Sequence, residues 1–181
     1  MVYVLLGEGF EEIEAITPID LLRRVDVDVK SVSLTSDLMV QGGHGISVKA
    51  DITLEQVDFA DLEMLILPGG LGGVAAIIET PAAIDLILKV WSAKKKLAAI
   101  CAAPKILAQL DIFDGLSVVC HPSVRNIITE AGGIVMPDLQ VTCDKNLVTG
   151  KAAGSSIEFA LELIAVMRDR ETSDQIRQAI T

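Results

Sequence analysis

A cysteine at the junction of an apolar run and a helix-compatible run is the residue best suited to covalent chemistry. Cys101 lies in the segment AAICAAPKIL, where a buried-type strand stops and a helix can begin. Ala99 and Ala103 fit the tight strand-to-helix turn of a nucleophile elbow, which exposes its central side chain. The following helix would favour a thiolate. The same residues also fit a cysteine buried among apolar neighbours, and spacing alone leaves both interpretations open.

A glycine pair after another strand-like run could supply the second half of such a site. Gly69 and Gly70 follow Pro68 at the end of MLIL, and ligands gather at the carboxyl ends of the strands in open α/β sheets. Their N–H groups could stabilise an oxyanion together with the N–H of Ala102. Simple turn chemistry explains a Pro-Gly-Gly sequence equally well.

Acidic and imidazole side chains stand at two further positions of interest. Glu11, Glu12 and Glu14 begin a predicted helix, where acids usually just complement the helix dipole, and one of them should differ from the others in exposure. His121 follows a predicted strand, which places it near Cys101. His44 lies in a glycine-rich turn and is predicted to be at the surface.

The elements that must position these residues alternate between short β-rich runs and helix-like segments, which predicts an α/β fold with a parallel sheet. We expect caps at Thr17, Thr80 and Thr172, a capping box beginning at Ser155, and a small hairpin added to the main sheet from residues 39–41 and 46–51. No linker or repeat divides residues 1–181, so we expect one domain. The predicted strands are Val2–Leu6, Val27–Leu34, Met64–Leu67, Leu97–Ile100, Ser117–Cys120 and Leu147–Val148.

Composition and charge exclude several classes of function. The net charge of −10 disfavours nucleic acid as a partner, because phosphate binding needs a basic face. Apolar runs are far shorter than the roughly 20 residues of a membrane span, and MVYVLLGEGF lacks the basic start of a signal peptide, so we expect a cytoplasmic protein without membrane contact. The three cysteines show no metal-ligand spacing and suggest neither a disulfide framework nor a zinc site. For Cys120 and Cys143 a structural role is favoured.

Five segments in order and spacing resemble the ThiJ/PfpI superfamily, in the branch that contains the parkinsonism-associated protein DJ-1 and its bacterial relatives. These segments are GFEEIEAITPIDLLRR, ILPGG, AAICAAP, CHP and GSSIEFALELI. The resemblance implies a flavodoxin-like, doubly wound α/β sandwich that forms a homodimer and uses no metal or organic cofactor. It places the family's cysteine at Cys101, its facing glutamate at Glu14, its histidine loop at His121 and its oxyanion amides at Gly70 and Ala102.

Differences between this sequence and related branches disfavour two of the activities found among them. The peptidase branch has histidine directly after its cysteine, where this chain has Ala102, so amide cleavage is disfavoured. Amidotransferases of similar topology use a His-x-Glu pair, whereas His121 precedes Pro122 and Ser123. Lys151 stands where close relatives carry arginine, and lysine cannot make the bidentate contact that arginine makes to an anion.

The resemblance therefore implies a glyoxalase or protein deglycase, acting on α-oxoaldehydes such as methylglyoxal or on glycated protein side chains. Cys101 would form a hemithioacetal, and a protonated Glu14, favoured by burial and like charge, would serve as the proton shuttle. The alternative is an oxidative-stress sensor or chaperone in which Cys101 is oxidised. A thiazole monophosphate biosynthesis label also attaches to the family, although no residue here suggests that chemistry.

Overall fold

The chain alternates short strands with helices over almost its whole length. In the computed structural model, which describes residues 1–181, the strands are β1 (Val2–Leu6), β2 (Val29–Ser33), β3 (Met39–Gln41), β4 (Ser47–Lys49), β5 (Ile52–Thr53), β6 (Met64–Leu67), β7 (Lys96–Ile100), β8 (Ser117–Val118), β9 (Ile134–Val135), β10 (Val141–Asp144) and β11 (Leu147–Gly150). The helices are α1 (Glu12–Arg23), α2 (Leu71–Ile78), α3 (Pro81–Ser92), α4 (Pro104–Gln109), α5 (Arg125–Glu130), α6 (Ser156–Met167) and α7 (Arg170–Ile180).

Seven strands form one central sheet in the order β10-β11-β7-β6-β1-β2-β5. All neighbours are parallel except β10 and β11, which form an antiparallel pair at one edge. From β1 the chain moves first toward β2 and β5 and then returns to place β6 on the other side of β1. This reversal opens a crevice at the carboxyl ends of β1 and β6, the position at which ligands bind in sheets of this kind.

The sheet separates two apolar cores, because successive side chains of a strand point to opposite faces. Tyr3 and Leu5 of β1 belong to a cluster of 26 buried residues, which also includes residues of α2, α3, α4 and α5. Val2, Val4 and Leu6 belong to a second cluster of 22 residues on the other face, with α1 and α6. Coverage on both faces explains the continuous apolar runs of β1, β6 and β7 and confirms the predicted doubly wound α/β sandwich.

The predicted hairpin forms, but its place in the fold differs from the prediction. β3 and β4 pair antiparallel, with Met39 opposite Lys49, yet they make a separate two-stranded sheet. The edge beside β2 is taken by β5 instead. The hairpin rests on the loop after β1, where Gly9 donates to the carbonyl of Gln41 over 2.8 Å and Gly43 donates to that of Phe10 over 2.8 Å.

The strand predicted over Ser117–Cys120 is also shorter and lies elsewhere. Only Ser117–Val118 is a strand, and it pairs with β9 in a second small sheet. The N–H of Ser117 donates to the Asp144 carboxylate over 2.8 Å, and that of Val119 donates to the Thr149 hydroxyl over 2.9 Å. These two N–H groups therefore bond to side chains of β10 and β11, whereas a strand of the main sheet would bond to backbone carbonyls.

Helix starts agree with the sequence prediction at one position and differ at three. Thr80 directly precedes α3, as predicted, with Pro81 at its first position, but its hydroxyl donates to the Ala76 carbonyl over 2.7 Å and does not cap the helix. Thr17 is no cap, because α1 begins at Glu12 and continues through Pro18. Ser155 precedes α6 without a capping box, since its hydroxyl binds Gln140 over 2.7 Å. For α7 the cap is Asp169, which accepts from the N–H of Thr172 over 2.7 Å.

No single helix has the length and apolar character of a membrane span. Taken together, α2 and α3 are long and apolar enough, but the two helices are bent by 85° relative to each other.

Candidate active site

Three strand ends bring the candidate catalytic residues together. The loop after β1 leads into α1, which carries Glu14 in its first turn. Gly69 and Gly70 follow β6, and Cys101 follows β7. Because β1, β6 and β7 are adjacent parallel strands, their carboxyl ends meet at one edge of the sheet. The sequence placed all three segments at strand ends, and the sheet order explains why they are neighbours.

Cys101 occupies the strained turn that a nucleophile elbow requires. Its φ of +65° lies in the left-handed region, which costs a non-glycine residue about 1–2 kcal/mol. Two backbone bonds hold this conformation: Cys101 N–H donates to the carbonyl of Gly150 over 3.0 Å, and its carbonyl accepts from His121 N–H over 2.8 Å. The side chain is half-buried, so the sulfur is neither sealed in the core nor freely exposed.

Glu14 is completely buried beside this cysteine. Its Oε2 accepts from the N–H of Gly69 over 2.9 Å, whereas its Oε1 has no hydrogen-bond partner. Only glycine fits at position 69, because a Cβ there would lie 2.5 Å from Glu14 Oε2 and 2.7 Å from Cys101 Cβ. The N–H of Gly69, expected to serve an oxyanion, therefore positions Glu14 instead.

The carboxyl and the thiol are coupled through their charges. Burial raises the pKa of Glu14 to about 7, with a smaller contribution from the charge of Glu11. Burial and then the negative charge of the neighbouring Glu14 raise the pKa of Cys101 to about 12. Two adjacent buried groups cannot both be ionised at low cost, so the pair retains a proton at neutral pH. The thiolate predicted from the helix dipole therefore needs a proton on Glu14.

Two backbone amides act on the sulfur against the effect of burial. Hydrogen bonds from the N–H groups of Ala102 and Gly70 lower the pKa of Cys101, although burial and Glu14 outweigh them. Gly70 adopts a φ of +86°, and a Cβ there would lie 2.5 Å from Glu11 N. These N–H groups can therefore stabilise negative charge on the sulfur, or on an oxygen bound next to it.

His121 lies close to Cys101 through its backbone, while its ring is engaged elsewhere. The Nδ1 atom is 2.8 Å from the Ser123 hydroxyl and accepts from Ser123 N–H over 3.2 Å. These contacts cap the 3₁₀ turn Pro122–Val124. The hydrogen bonds of the ring include none to Cys101, so the arrangement lacks a cysteine–histidine pair of the kind that activates a thiol.

A buried acid and a surface histidine form a contact that the sequence did not reveal. Glu12 is 8% exposed and accepts hydrogen bonds from the backbone N–H groups of His44 and Ile46 at 2.8 and 3.3 Å. His44 Nδ1 lies 2.9 Å from Glu12 Oε2. Although burial opposes ionisation, these bonds hold the pKa of Glu12 at about 2. The residue type at position 42 reflects this contact, because any Cβ on Gly42 would collide with the Glu12 carboxylate.

The same cluster holds the side chains best placed for a metal. Ligand atoms of Glu11, Glu12 and His44 lie within 4.8 Å of one another. Hydrogen bonds already engage both oxygens of Glu12. These bonds attach the β3–β4 hairpin to α1, which explains the cluster without a metal.

The remaining residues singled out from the sequence lie apart from this chemistry. Cys120 is buried and Cys143 is exposed, and all three cysteines are free. The ammonium of Lys151 donates to the carbonyl of Pro137 over 3.0 Å. His44 is exposed, as predicted, although its ring pairs with Glu12.

Comparison with known proteins identifies relatives that match nearly the full length. The protein dj-1beta of Drosophila melanogaster is 32% identical over 177 residues, with 98% of this chain and 94% of the relative covered. Its crystal structure gives a TM-score of 0.93 at 31% identity, covering 99% of this chain and 96% of that one. A deglycase from Pyrococcus abyssi is 26% identical over 167 residues, or 92% of this chain and 99% of the deglycase.

A structure of Toxoplasma gondii DJ-1 in an oxidised form is similarly close, with a TM-score of 0.91 at 28% identity, covering 99% of this chain and 96% of that one. The pattern of the DJ-1/PfpI family matches residues 1–166. The resemblance carried by the five sequence motifs is confirmed, and this chain belongs to the DJ-1/PfpI family.

Proposed function

We propose that this protein is a cofactor-independent cysteine enzyme that acts on α-oxoaldehydes such as methylglyoxal, or on their early adducts with protein side chains. The observation that carries the proposal is the buried Glu14 carboxyl, with one oxygen fixed by Gly69 and the other unpartnered beside Cys101. The deglycase name of the Pyrococcus abyssi relative supports the same class of activity.

The first step would be addition of the thiol to the aldehyde. A bond forms between Sγ of Cys101 and the aldehyde carbon, the carbonyl π bond opens, and the thiol proton passes by way of Glu14 to the new oxygen. The N–H groups of Gly70 and Ala102 would stabilise negative charge on that oxygen. The product is a hemithioacetal on Cys101.

Glu14 would then act as a base and as an acid in turn. Its carboxylate removes the proton from the former aldehyde carbon, giving an enediolate, and returns it to the neighbouring carbon, while the hydroxyl proton of the first carbon moves to the oxygen of the second. The result is a thioester of a hydroxyacid, which water hydrolyses to release the acid and restore the thiol. Methylglyoxal plus water thus yields lactate without an external oxidant. A group with a pKa of about 7 suits both proton transfers near neutrality.

Two substitutions test this scheme. Cys101→Ala and Glu14→Gln should each lower lactate formation from methylglyoxal by at least about 100-fold, the usual range for general acid–base catalysis. Product should be measured directly by NMR. Cys143→Ala is the matched control, because that exposed cysteine lies outside the site and its loss should leave the rate unchanged. Retained activity in either site variant would overturn the scheme.

A second candidate function rests on the same pair of residues. The half-buried sulfur and the unpartnered Glu14 Oε1 also suit oxidation of Cys101 to a sulfinic acid, in which two molecules of peroxide supply two oxygens and leave two of water. A protonated Glu14 could donate to that group. The oxidised Toxoplasma gondii structure supports this alternative. Selective oxidation of Cys101 by mild peroxide, with negligible lactate formation, would favour it over the enzyme.

A further inference from the structure

An apolar groove of about 450 Å³ adjoins the candidate active site. It lies between α2, which contributes Val74 and Ile78, and the opposite wall formed by α4 and the segment containing Val124 and Ile127. Seven of its 11 lining residues are hydrophobic, so it is suited to an apolar group. The proposed chemistry on methylglyoxal makes no use of it, because a methyl substituent would leave nearly all of this volume empty.

The groove shares Ala102 with the candidate site and includes Leu71, the residue after Gly70. Ala102, whose N–H acts on Cys101, is itself part of the lining. Leu71 directly follows Gly70, the other amide donor, and lines the groove while being 83% exposed. The groove therefore borders both residues whose N–H groups act on the sulfur.

The charges of the lining select for an uncharged occupant. The lining carries one positive side chain, Lys105, and one negative side chain, Glu79, and neither takes part in an ion pair. An anionic group would gain from Lys105 and lose to Glu79. An uncharged apolar group instead gains from burial against Val74, Ile78 and Ile127.

We infer that this groove is a substrate subsite, which holds the apolar substituent of an aryl or longer alkyl α-oxoaldehyde while its aldehyde carbon reacts at Cys101. The inference rests on the proposed function and narrows its substrate class. A phenyl substituent on the ketone carbon, as in phenylglyoxal, would bury in the groove in the bound state and in the transition state. The protein should therefore act on phenylglyoxal with a higher kcat/KM than on methylglyoxal.

Filling the groove tests the inference. Ala75 is exposed on α2 and lines the groove, so Ala75→Trp can occupy it without disturbing the core. We expect this variant to lower kcat/KM for phenylglyoxal by at least about tenfold and to change that for methylglyoxal less than about threefold, because the methyl group makes no use of the groove. Ala179→Trp, at an exposed position of α7, is the matched control and should change neither value.

A readout without turnover separates this inference from the proposed function. Alkylation of Cys101, followed by mass spectrometry of its peptide, should be faster with N-benzylmaleimide than with N-methylmaleimide in the native protein, and Ala75→Trp should remove the difference. If neither aldehyde is consumed but this preference holds, the proposed function fails and the subsite stands. Equal rates for both maleimides in the native protein, or a preference that survives Ala75→Trp, would overturn the subsite.

Discussion

The pKa of Glu14 is raised mainly by burial. It is fully buried, and the single N–H of Gly69 is its only fixed hydrogen bond. Sequence reasoning could place Glu14 in an acidic run and Cys101 at a strand end, but only the family resemblance distinguished Glu14 from its neighbours. The role of Gly69 was hidden, because a backbone donor looks the same in sequence whether it serves a substrate or a side chain.

The raised pKa of Glu14 predicts a pH dependence of folding stability. Its pKa is about 7 in the folded protein against 4.5 for the free side chain, so unfolding releases a proton between these values and stability falls as pH rises through that window. Below pH 4.5 both states hold the proton. From the cost of about 1.4 kcal/mol per pKa unit, the native protein should lose roughly 2–3 kcal/mol relative to Glu14→Gln between pH 5 and 8.

Urea unfolding at several pH values measures this difference. Glu158→Gln is a suitable control, because Arg177 holds the pKa of Glu158 below its ordinary value, so that carboxyl is charged in both states throughout pH 5–8. Parallel stability curves for the native protein and Glu14→Gln would show that the burial of Glu14 does not raise its pKa.

Among the elements, the bounds of the strands were more predictable than the sheets in which the strands pair. β1 and β6 have the predicted bounds, because apolar runs covered on both faces leave little ambiguity. The hairpin and the strand at Ser117 were predicted as parts of the main sheet, and both belong to separate small sheets. Side-chain acceptors such as Asp144 and Thr149 made the difference, and such long-range contacts leave no local pattern.

The position of the β3–β4 hairpin depends on the absence of a side chain at Gly42. A Cβ there would collide with the Glu12 carboxylate, so Gly42→Ala should weaken the bonds that the N–H groups of His44 and Ile46 donate to Glu12 and lower stability by about 1–3 kcal/mol. Hydrogen exchange should show lost protection at the His44 and Ile46 amides. Gly154→Ala is the matched control, since a Cβ there meets open space. Unchanged protection in Gly42→Ala would contradict this account of the hairpin.

At the scale of the whole molecule, the sheet keeps two cores apart. The alternation of strands and helices predicted a parallel sheet, and the family resemblance implied the layers of helices on its two faces. Which helix covers which face could not be deduced, because that follows from the strand order and the handedness of each crossover. The site depends on the same order, which makes β1, β6 and β7 neighbours.

Two independent cores predict additive losses of stability. Ile66 belongs to the cluster with α1 and α6, and Ile87 belongs to the cluster on the opposite face. Ile66→Val and Ile87→Val should each cost about 0.5–1.5 kcal/mol, and the double variant should equal their sum within about 0.5 kcal/mol. Ile46→Val, at a position 60% exposed, should be nearly neutral. A coupling above 1 kcal/mol in urea unfolding would mean that the sheet transmits packing between its faces.

The backbone conformation of Cys101 has a consequence for how this protein changes over generations. A glycine would adopt the same φ of +65° without steric cost, so substitution there need not impair folding. If a lineage no longer needed the reactivity of the sulfur, mutation could replace Cys101 by glycine and the protein would still fold. Persistence of the cysteine in descendants would therefore reflect selection for what the thiol does, rather than for how the chain folds.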